Sequence, residues 1–432
     1  METIIGKYNS AICYTNIIEN TAREQIKTLC DTKVFSDSKI RIMPDVHAGK
    51  GCTIGTTMTI TDKIVPSLVG VDIGCGVIGV KISDITAKDF RENKQIRDNI
   101  ISKIESVPSG TYVHSSYDSR STHCIAIKHL KCANKLINIE RLYKSCGTLG
   151  GGNHYIEIGV SELTDELWLF VHTGSRNIGK QVAEYYQGKA IKNQEERFRK
   201  EIDLTIERYK NEGKENLLSD ALKQLKKKQV ENKLPDELCY LDGQDLSDYI
   251  HDVQSCRLIA GINRKKICER ILGEDIWKKV KSMYYDYIET EHNFIATEAS
   301  IDKDCKILRK GAVSAKNNEK FLIPMNMRDG TLVCVGRGNP EWNYSAPHGA
   351  GRLMGRGEAM RTLSMEDYKN QMTGIFSNTV DESTLDESPM AYKPIDSIIA
   401  NIKDTAYIVD TIKPVYNFKH SEVQAKKNYK TI

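Results

Sequence analysis

The segment Val71-Asp72-Ile73-Gly74-Cys75-Gly76-Val77-Ile78-Gly79-Val80-Lys81-Ile82 decides which fold class this chain can adopt. Its part from Gly74 to Gly79 fits the G-x-G-x-x-G pattern of dinucleotide-binding folds, in which a helix must start directly after the glycines. The β-branched residues that follow predict a continued strand instead. The segment therefore argues against a Rossmann fold, and Asp72 and Cys75 need another explanation.

The pattern of apolar residues changes along the chain and divides it into three regions. Up to about residue 175 the chain is rich in β-branched runs separated by Gly and Asp, which predicts strands such as Leu167-Trp168-Leu169-Phe170-Val171. From about 180 to 285, apolar residues recur at helical spacing and predict a helical insertion. After Glu289 the strand-like texture returns. The sequence predicts one domain of the α+β class over 1–432, with a mixed β-sheet core and a short polar tail at 420–432.

The composition excludes several classes of protein. The 432 residues include 62 Lys and Arg against 58 Asp and Glu, a formal charge of +4, so any nucleic-acid surface must be a local patch. Apolar runs stay well below the ~20 residues needed to cross a bilayer, and the N-terminus lacks the apolar core of a signal peptide. The 12 cysteines include no Cys-x-x-Cys pair, which is typical of reduced thiols. We therefore expect a cytoplasmic protein without a membrane segment.

Two further patterns receive the simpler interpretation. Gly174-Ser175-Arg176-Asn177-Ile178-Gly179-Lys180 nearly matches a phosphate-binding P-loop, but Gln181 stands where a hydroxyl must bind magnesium. From this motif we keep Arg176 as a candidate phosphate contact. Lys226-Lys227-Lys228 is interpreted as the solvated face of an amphipathic helix rather than as a nucleic-acid site.

Five residues in short, mostly glycine-rich motifs have side chains that bind transition metals: Asp72, Cys75, His154, His172 and His292. Thiolate and imidazole suit zinc and the later transition metals, whereas carboxylate and imidazole also suit manganese, so the set leaves the ion open. Each residue alone has a structural explanation, such as Cys75 as a small buried hydrophobe. Together they predict a metal site.

The segment His348-Gly349-Ala350-Gly351-Arg352 has the chemistry of a phosphate-binding loop. Two glycines expose backbone N–H groups to an anion, an arginine can pair with a phosphate, and a histidine can attack phosphorus. A tight turn with a chance histidine is the alternative interpretation of so short a motif.

These segments, in this order, resemble the RtcB family of RNA-splicing ligases across nearly the whole chain. The family blocks D-V-H-x-G-x-G, G-x-D-I-G-C-G, G-T-L-G-G-G-N-H-[FY]-I-E, V-H-T-G-S-R, E-H-N, R-K-G-A and H-G-A-G-R all have counterparts. These counterparts lie at 45–51, 71–76, 147–157, 171–176, 291–293, 309–312 and 348–352. The resemblance implies an RtcB-like fold around the metal site.

The resemblance implies a GTP- and manganese-dependent ligase that joins RNA ending in a 2′,3′-cyclic phosphate or 3′-phosphate to RNA beginning with a 5′-hydroxyl. His348 would be the catalytic residue and would attack the α-phosphate of GTP to give a guanylylated histidine. GMP would then pass to the RNA 3′-phosphate and form an RNA-(3′)pp(5′)G intermediate. RNA repair or tRNA splicing would be its role. The sequence leaves open the physiological RNA, the oligomeric state and the need for an activating protein partner.

The resemblance also implies roles for individual residues. Cys75 would bridge two manganese ions, with Asp72 and His154 completing one site and His172 and His292 the other. The expected GTP-binding residues are Asn153, His154, Tyr155, Ile156, Glu157, His292, Asn293, Pro324, Asn326, Met327, Thr331, His348, Gly349, Ala350, Gly351 and Lys419. Glu157 would read the N–H edge of guanine, while Arg176 and Arg352 would meet phosphates.

The chain departs from the family pattern in two places. Family members commonly carry I-P-G-S-M-G where this chain has Ile323-Pro324-Met325-Asn326-Met327-Arg328, and they tend to end in V-K-G where it has Phe418-Lys419-His420. The first loop has lost both glycines, which puts a nucleotide contact by Met325 in question. We expect these changes to affect nucleotide affinity or the preferred RNA ends.

Two other functions are compatible with the same residues. A metal-dependent phosphoesterase would use the metals and the phosphate loop to cleave nucleotides or RNA ends without GTP. An RNA-end-binding protein would have lost turnover through the altered loop at Met325. A covalent guanylyl-histidine distinguishes a ligase from both.

Overall fold

The computed structural model describes residues 1–281, 286–297 and 306–423. The strands in these ranges, β1 to β17 in chain order, are Glu2–Ile5, Ser10–Cys13, Ile40–His47, Ile54–Ile60, Lys63–Ile64, Gly76–Thr86, Tyr155–Ser161, Glu166–Thr173, Leu241–Asp242, Tyr287–Glu291, Asn293–Thr297, Lys306–Lys310, Ala312–Ser314, Lys320–Pro324, Thr331–Gly336, Ser345–Pro347 and Ala406–Lys419. The α-helices, α1 to α12, are Asn20–Cys30, Ala87–Glu92, Lys94–Glu105, Thr122–Lys128, Ile139–Tyr143, Asn177–Asn211, Glu215–Glu231, Gly243–Leu272, Ile276–Lys281, Arg356–Thr362, Met365–Gln371 and Ile395–Asn401. The predicted α+β class is therefore confirmed.

Two large sheets form the centre of the molecule. The six-stranded sheet has the order β1-β2-β3-β4-β12-β11, and its β2–β3 pair is parallel while the other pairs are antiparallel. The seven-stranded sheet has the order β10-β6-β8-β7-β17-β15-β14 and is antiparallel throughout. Two small sheets pair β13 with β16 and β5 with β9. The predicted mixed β-sheet core is present.

The segment that argued against a Rossmann fold behaves as predicted. Strand β6 starts at Gly76, directly after Cys75, and no helix follows the glycines. Ile78 and Val80 of β6 pack in an apolar cluster with residues of α2 and α3 such as Phe90 and Ile100. The β-branched side chains that predict the strand therefore also fill the core on one face of the seven-stranded sheet.

The helices differ from the prediction in one region. The first 175 residues contain α1 to α5 in addition to strands. In α3, Ile96, Ile100 and Ile104 recur at a spacing of four residues, which places them on one face of a helix. Helices α6 to α9 occupy the segment that was predicted to be helical, although 282–285 lie outside the described residues, as do 424–432 of the predicted tail. Of the helices described, none is long and apolar enough to cross a membrane.

Helix α8 contacts both large sheets. Tyr249 and Val253, in its first half, belong to the apolar cluster that includes Ile42 of the six-stranded sheet. Ile267 and Ile271, in its second half, belong to the cluster of the seven-stranded sheet. Both halves are buried because the apolar positions recur at helical spacing along the whole helix. The helix therefore links the two sheets.

Candidate active site

Five metal-binding side chains converge at one end of the seven-stranded sheet. The ligand atoms of Asp72, Cys75 and His154 lie within 4.8 Å of one another, and so do those of Cys75, His172 and His292. Strand ends explain the convergence, because Cys75 precedes β6, His154 precedes β7, His172 lies near the end of β8 and His292 follows β10. Antiparallel pairing brings these ends together, and Cys75 belongs to both groups.

The donor atoms face one another at distances that suit a shared cation. Cys75 Sγ lies 3.4 Å from His154 Nε2 and 3.3 Å from His172 Nε2, and His172 Nε2 lies 3.4 Å from His292 Nε2. The other ring nitrogen of His154, Nδ1, donates to the carbonyl oxygen of Leu149 at 3.0 Å, so the lone pair stays on Nε2, which faces Asp72 Oδ2 at 2.9 Å. Lone pairs that meet in this way repel unless a cation lies among them. The donor set therefore fits a metal site.

Burial sets the protonation of these donors. Burial lowers the pKa of His172 and of His292 well below the usual range, so both imidazoles are neutral, which is the form that binds metals. Burial and the neighbouring Asp72 carboxylate raise the pKa of the Cys75 thiol. A bound cation reverses this effect and stabilises the thiolate, as it does at other metal–thiol sites.

A buried carboxylate holds His348 beside this cluster. His348 Nδ1 lies 2.6 Å from Asp45 Oδ2, and the backbone N–H of His348 donates to the same oxygen at 3.0 Å. Because a carboxylate accepts, Nδ1 carries the proton and Nε2 is left with its lone pair. The ring centroids of His348 and His292 are 4.7 Å apart. Sequence reasoning missed Asp45 as a site residue, although its D-V-H-x-G block was a signal.

His348 and one member of the metal cluster line one cavity of about 480 Å³. This size is typical of sites for nucleotide-sized ligands. Several of the residues that were expected to bind GTP line it, together with the metal donor His172. These expected residues are Asn153, Tyr155, Glu157, Pro324, Asn326, Met327, His348, Gly349, Ala350, Gly351 and Lys419.

Two cross-strand pairs of β7 and β17 form part of the cavity wall. Tyr155 pairs with Lys419 and Glu157 pairs with Asn417, and all four line the cavity. Asn417 Nδ2 donates to Glu157 Oε2 at 2.8 Å. Burial raises the pKa of Glu157 to about 8, although the hydrogen bond from Asn417 and the charge of Lys419 act in the opposite direction. We call this part of the wall, formed by Tyr155, Glu157, Asn417 and Lys419, the cavity floor.

Comparison with known proteins agrees with this arrangement. The sequence model of the family described as "tRNA-splicing ligase RtcB" matches residues 25–420. The chain belongs to the RtcB family.

Named relatives cover most of the chain. It is 29% identical over 422 residues to RNA-splicing ligase RtcB of Escherichia coli strain K12, a match that covers 92% of this chain and 94% of that protein. It is 24% identical to tRNA-splicing ligase RtcB of Aeropyrum pernix, over 87% of this chain and 86% of the relative. RNA-splicing ligase RtcB homolog 1 of Entamoeba dispar is 26% identical, over 87% and 78%. The predicted membership in this family of RNA-ligase enzymes is therefore confirmed.

Asn263 of α8 ties together two of the loops that carry candidate metal ligands in this RtcB-family chain. Its Oδ1 accepts from the backbone N–H of Gly147 at 2.7 Å and of Thr148 at 3.0 Å. Its Nδ2 donates to the carbonyl oxygens of Thr148 at 3.0 Å and Gly174 at 3.3 Å. The first loop leads to His154 and the second follows His172. One amide therefore fixes the spacing between two donors.

Arg264, the next residue of α8, supports the loop that carries Cys75. The side chain is fully buried, and its Nη1 donates to the carbonyl oxygens of Gly74 at 2.8 Å and Thr173 at 3.0 Å. Its Nε donates to Glu289 Oε1 at 2.9 Å. Neither Asn263 nor Arg264 was identified from the sequence. The signal was present, because both interrupt the apolar stripe of a buried helix.

Some expected GTP-binding residues do not line the cavity. Ile156 points to the opposite face of β7 and packs in the apolar core, because side chains alternate along a strand. Thr331 is buried but lies outside the cavity wall, and the side chains of His154 and His292 belong to the metal cluster. Asn293 instead holds loops, since its Nδ2 donates to Asp72 O and its Oδ1 accepts from Gly311 N.

The two arginines that were expected to meet phosphates are placed differently. Arg352 lines the cavity, and its Nη2 donates to the carbonyl oxygen of Asp386 at 2.7 Å. Arg176 lies outside the wall, with Nη1 3.3 Å from His154 Nδ1. Its φ of 61° is uncommon for a residue with a side chain. Arg176 therefore packs against a metal donor, while Arg352 keeps access to a ligand.

A buried acid in the cavity wall, Glu387, pairs with basic side chains, and these pairs were not identified from the sequence. Glu387 Oε2 accepts from Lys419 Nζ at 2.9 Å and from the Tyr392 hydroxyl at 2.7 Å. Burial alone would raise the pKa of Glu387, but the charges of Lys419 and Arg356 hold it well below its usual range. His47 also lines the cavity, and burial lowers its pKa to about 4. The pairing of Lys419 with Glu387 could not be assigned from the spacing of residues in the sequence.

The loop that departs from the family pattern is held by its own polar residues. Asn326 Oδ1 accepts from the backbone N–H of Arg328 at 3.0 Å and of Asp329 at 2.9 Å, and its Nδ2 donates to Asp329 Oδ2 at 2.8 Å. Met325 and Met327 are buried and line the cavity. The loop therefore presents two apolar side chains to a ligand. Met325 stands where family members commonly carry a glycine, whereas Met327 matches their methionine.

Proposed function

We propose that this chain is a GTP- and manganese-dependent RNA ligase that joins RNA ending in a 2′,3′-cyclic phosphate or 3′-phosphate to RNA beginning with a 5′-hydroxyl. One observation carries the proposal. The ring of His348 is held at Nδ1 by a buried carboxylate, contacts the ring of the metal donor His292, and lines the same cavity as the metal donor His172. The names of the relatives, RNA-splicing and tRNA-splicing ligases, support the same activity.

His348 is the nucleophile of the first step. Because Asp45 holds the proton on Nδ1, the lone pair of Nε2 is free to attack the α-phosphorus of GTP. An N–P bond forms, the bond from the α-phosphorus to the bridging oxygen breaks, and pyrophosphate leaves with the electron pair. The Asp45 carboxylate stabilises the positive charge that the ring acquires, much as a buried aspartate does in a catalytic triad.

The donor cluster would hold two manganese ions that share Cys75. Asp72 and His154 would complete one site, and His172 and His292 the other. When bound, such a pair neutralises the charge of the phosphates and stabilises the leaving oxygen. The carboxylate and the imidazoles suit manganese, and the Cys75 thiolate would be a ligand in both sites.

Two further transfers complete the joining reaction. An oxygen of the RNA 3′-phosphate attacks the guanylyl phosphorus, the N–P bond breaks, and His348 is regenerated with RNA-(3′)pp(5′)G as the product. The 5′-hydroxyl of the second RNA then loses its proton and attacks the 3′-phosphorus, and GMP leaves. A cyclic phosphate end first takes up water and opens to a 3′-phosphate. Guanylylation is needed because a phosphate monoester has no good leaving group of its own.

The cavity floor supplies guanine recognition in this proposal. The carboxylate of Glu157 accepts N–H groups from the edge of the base, and the ammonium group of Lys419 donates to its carbonyl side. Asn153, Pro324, Asn326, Met327 and residues 348–351 complete the nucleotide site. The metal donors His154 and His292, together with Asn293, support it from behind the cavity wall.

We also propose that residues 1–432 act as one catalytic domain with a helical insertion at about 180–285. Asp45 lies on β3 of the six-stranded sheet, whereas His172 lies on β8 of the seven-stranded sheet. Helix α8 contacts both sheets. A site that draws on both sheets favours a single unit over two separable domains.

The experiment that tests the first step uses α-labelled GTP and manganese with the wild-type protein, His348→Ala and the control His129→Ala. His129 is an exposed histidine outside the cavity. We expect label on the denatured wild-type and His129→Ala chains, lost in acid, and none on His348→Ala. Label that persists on His348→Ala would contradict the assignment of the nucleophile.

A second experiment distinguishes the ligase from the alternatives. RNA with a 2′,3′-cyclic phosphate end and RNA with a 5′-hydroxyl end are incubated with the protein, manganese and either GTP or no nucleotide. Joining that depends on GTP supports the proposal. Release of phosphate or of shortened RNA without GTP would favour the phosphoesterase, and binding of RNA ends without any reaction would favour the end-binding protein.

A further inference from the structure

The cavity floor contains buried hydrogen-bond acceptors that the protein itself does not use. Glu157 is 2% exposed and Asn417 is 1% exposed. Glu157 Oε1 and Asn417 Oδ1 have no hydrogen-bond partner among the residues that the structure describes. The other oxygen of Glu157, Oε2, accepts from Asn417 Nδ2 at 2.8 Å. Two neighbouring buried residues of the cavity wall are thus each left with one unpaired acceptor.

Leaving a buried acceptor unpaired is costly, so such acceptors are uncommon unless a ligand or ordered water satisfies them. Both of these acceptors belong to residues that line the cavity. The orientation of the Asn417 amide is fixed, because its N–H must face the Glu157 carboxylate and its carbonyl oxygen therefore points elsewhere. An N–H or O–H donor of a ligand or of an ordered water molecule would satisfy each acceptor.

We infer that Asn417 is a specificity-determining residue that reads the exocyclic 2-amino group of guanine. The inference rests on the proposed use of GTP and deepens it. Guanine offers three hydrogens on one edge, one on N1 and two on the 2-amino group. The carboxylate of Glu157 accepts the N1 hydrogen and one amino hydrogen, and Asn417 Oδ1 accepts the second amino hydrogen. The Asn417 amide also holds Glu157 in place for this contact.

The position of the pair in the sheet explains why both residues act together. Glu157 and Asn417 are direct cross-strand partners of β7 and β17, next to the Tyr155–Lys419 pair. Cross-strand partners have side chains about 5 Å apart on one face of a sheet, so both can contact the edge of one base. Adenine and hypoxanthine lack the 2-amino group and leave Asn417 Oδ1 unpaired.

Equilibrium binding of GMP and IMP, in the presence of manganese, tests this inference without a reaction. IMP differs from GMP only by lacking the 2-amino group. We expect the wild-type protein to bind GMP more tightly than IMP, and Asn417→Leu to reduce that ratio by about tenfold, the effect of one buried hydrogen bond. The matched control is Tyr416→Phe, which removes the hydrogen bond from the Tyr416 hydroxyl to Glu105 on the other face of β17. It should keep the wild-type ratio.

A change in the ligand rather than in the protein keeps the test valid if Asn417→Leu does not fold. N2-methyl-GMP replaces one amino hydrogen with a methyl group, and we expect the wild-type protein to bind it less tightly than GMP. Equal binding of GMP and N2-methyl-GMP, or an unchanged GMP:IMP ratio in folded Asn417→Leu, overturns the inference and leaves the ligase proposal intact. Failure of the wild-type protein to bind either GMP or IMP contradicts the proposed use of GTP itself.

Discussion

Helix α8 and the outer arm, which we define as residues 198–231 of α6 and α7, come from the same helical segment but differ in burial. α8 contains eleven buried residues and contacts both large sheets. In the outer arm, all of which the structure describes, Gln229 is the single buried residue. Apolar spacing predicts a helix in both regions. Apolar spacing alone does not distinguish the helix that supports the active site from the helices that lie at the surface.

The position of polar residues within the apolar period makes the distinction. In α8 the stripe formed by Ala260, Ile267 and Ile271 is interrupted by Asn263 and Arg264, so these two polar side chains lie in the interior. In α7 the run 226–228 falls between the apolar positions, and its lysines are exposed. A polar residue on the apolar stripe therefore indicates a buried partner, whereas one beside the stripe indicates solvent.

The largest effect is expected when the buried cation of α8 is removed. Arg264→Met removes a buried charged donor from Glu289 and from the carbonyl oxygens of Gly74 and Thr173, so the free energy of unfolding should fall by about 3–5 kcal/mol. Manganese affinity should fall by about 10–100-fold, as is usual when support behind a ligand is lost. Denaturant unfolding and metal titration measure the two effects.

The control for this variant is Arg270→Met, on an exposed position of the same helix. It should change the free energy of unfolding by no more than about 0.5 kcal/mol and leave metal affinity unchanged. If Arg264→Met bound manganese as tightly as the wild-type protein, the proposed link between α8 and the metal site would be wrong.

A smaller effect is expected from the neighbouring amide. Asn263→Ala removes the hydrogen bonds that hold the loops at Thr148 and Gly174, which should cost about 1–3 kcal/mol in the free energy of unfolding. Cobalt bound in place of manganese should show a weaker or shifted thiolate charge-transfer band, because the donors lose their spacing around Cys75. A band identical to that of the wild-type protein would show that Asn263 is structural only.

Glu157 is a buried acid of the active site, and we expect it to make the affinity for GMP depend on pH. Because burial raises its pKa to about 8, the carboxyl group is protonated below that pH in the empty cavity. Guanine needs the carboxylate form, so GMP affinity should rise by up to about tenfold per pH unit below pH 8 and level off above it. Calorimetry should detect proton release on binding. In Glu157→Gln this pH dependence should disappear, and its persistence would point to another group.

The smallest effect is expected in the outer arm. Replacing Lys226, Lys227 and Lys228 with glutamine removes exposed charges that belong to no ion pair found among the described residues. Surface changes of this kind usually alter the free energy of unfolding by no more than about 0.5 kcal/mol. Guanylylation of His348 should keep its wild-type rate. A large loss of stability or of guanylylation rate would contradict the contrast between the two regions, because the outer arm would then support the site as α8 does.

The sequence predicted the parts of the site that lie in local motifs. The α+β class, the strand after Cys75 and the family were confirmed, and the five metal-binding residues do converge. Their motifs contain the ligands themselves, so no knowledge of the fold was needed. The pairing of ligands with particular ions stays a prediction.

The parts that escaped prediction depend on contacts between distant segments. Asn417 faces Glu157 only because β17 pairs with β7 in one register, and Asp45 reaches His348 across about 300 positions of sequence. Ile156 was expected to bind GTP, yet its side chain faces the core because directions alternate along a strand. Such relations follow from topology and register, which a single sequence does not specify.

The central claim is that a metal pair sharing Cys75 faces the nucleophile His348, and anomalous diffraction from crystals soaked with manganese and GTP tests it most directly. The account predicts two manganese peaks next to Cys75 Sγ, one toward Asp72 and one toward His292, with the phosphorus of GMP bonded to His348 Nε2. A single peak, peaks away from Cys75, or GMP attached to another residue would contradict it.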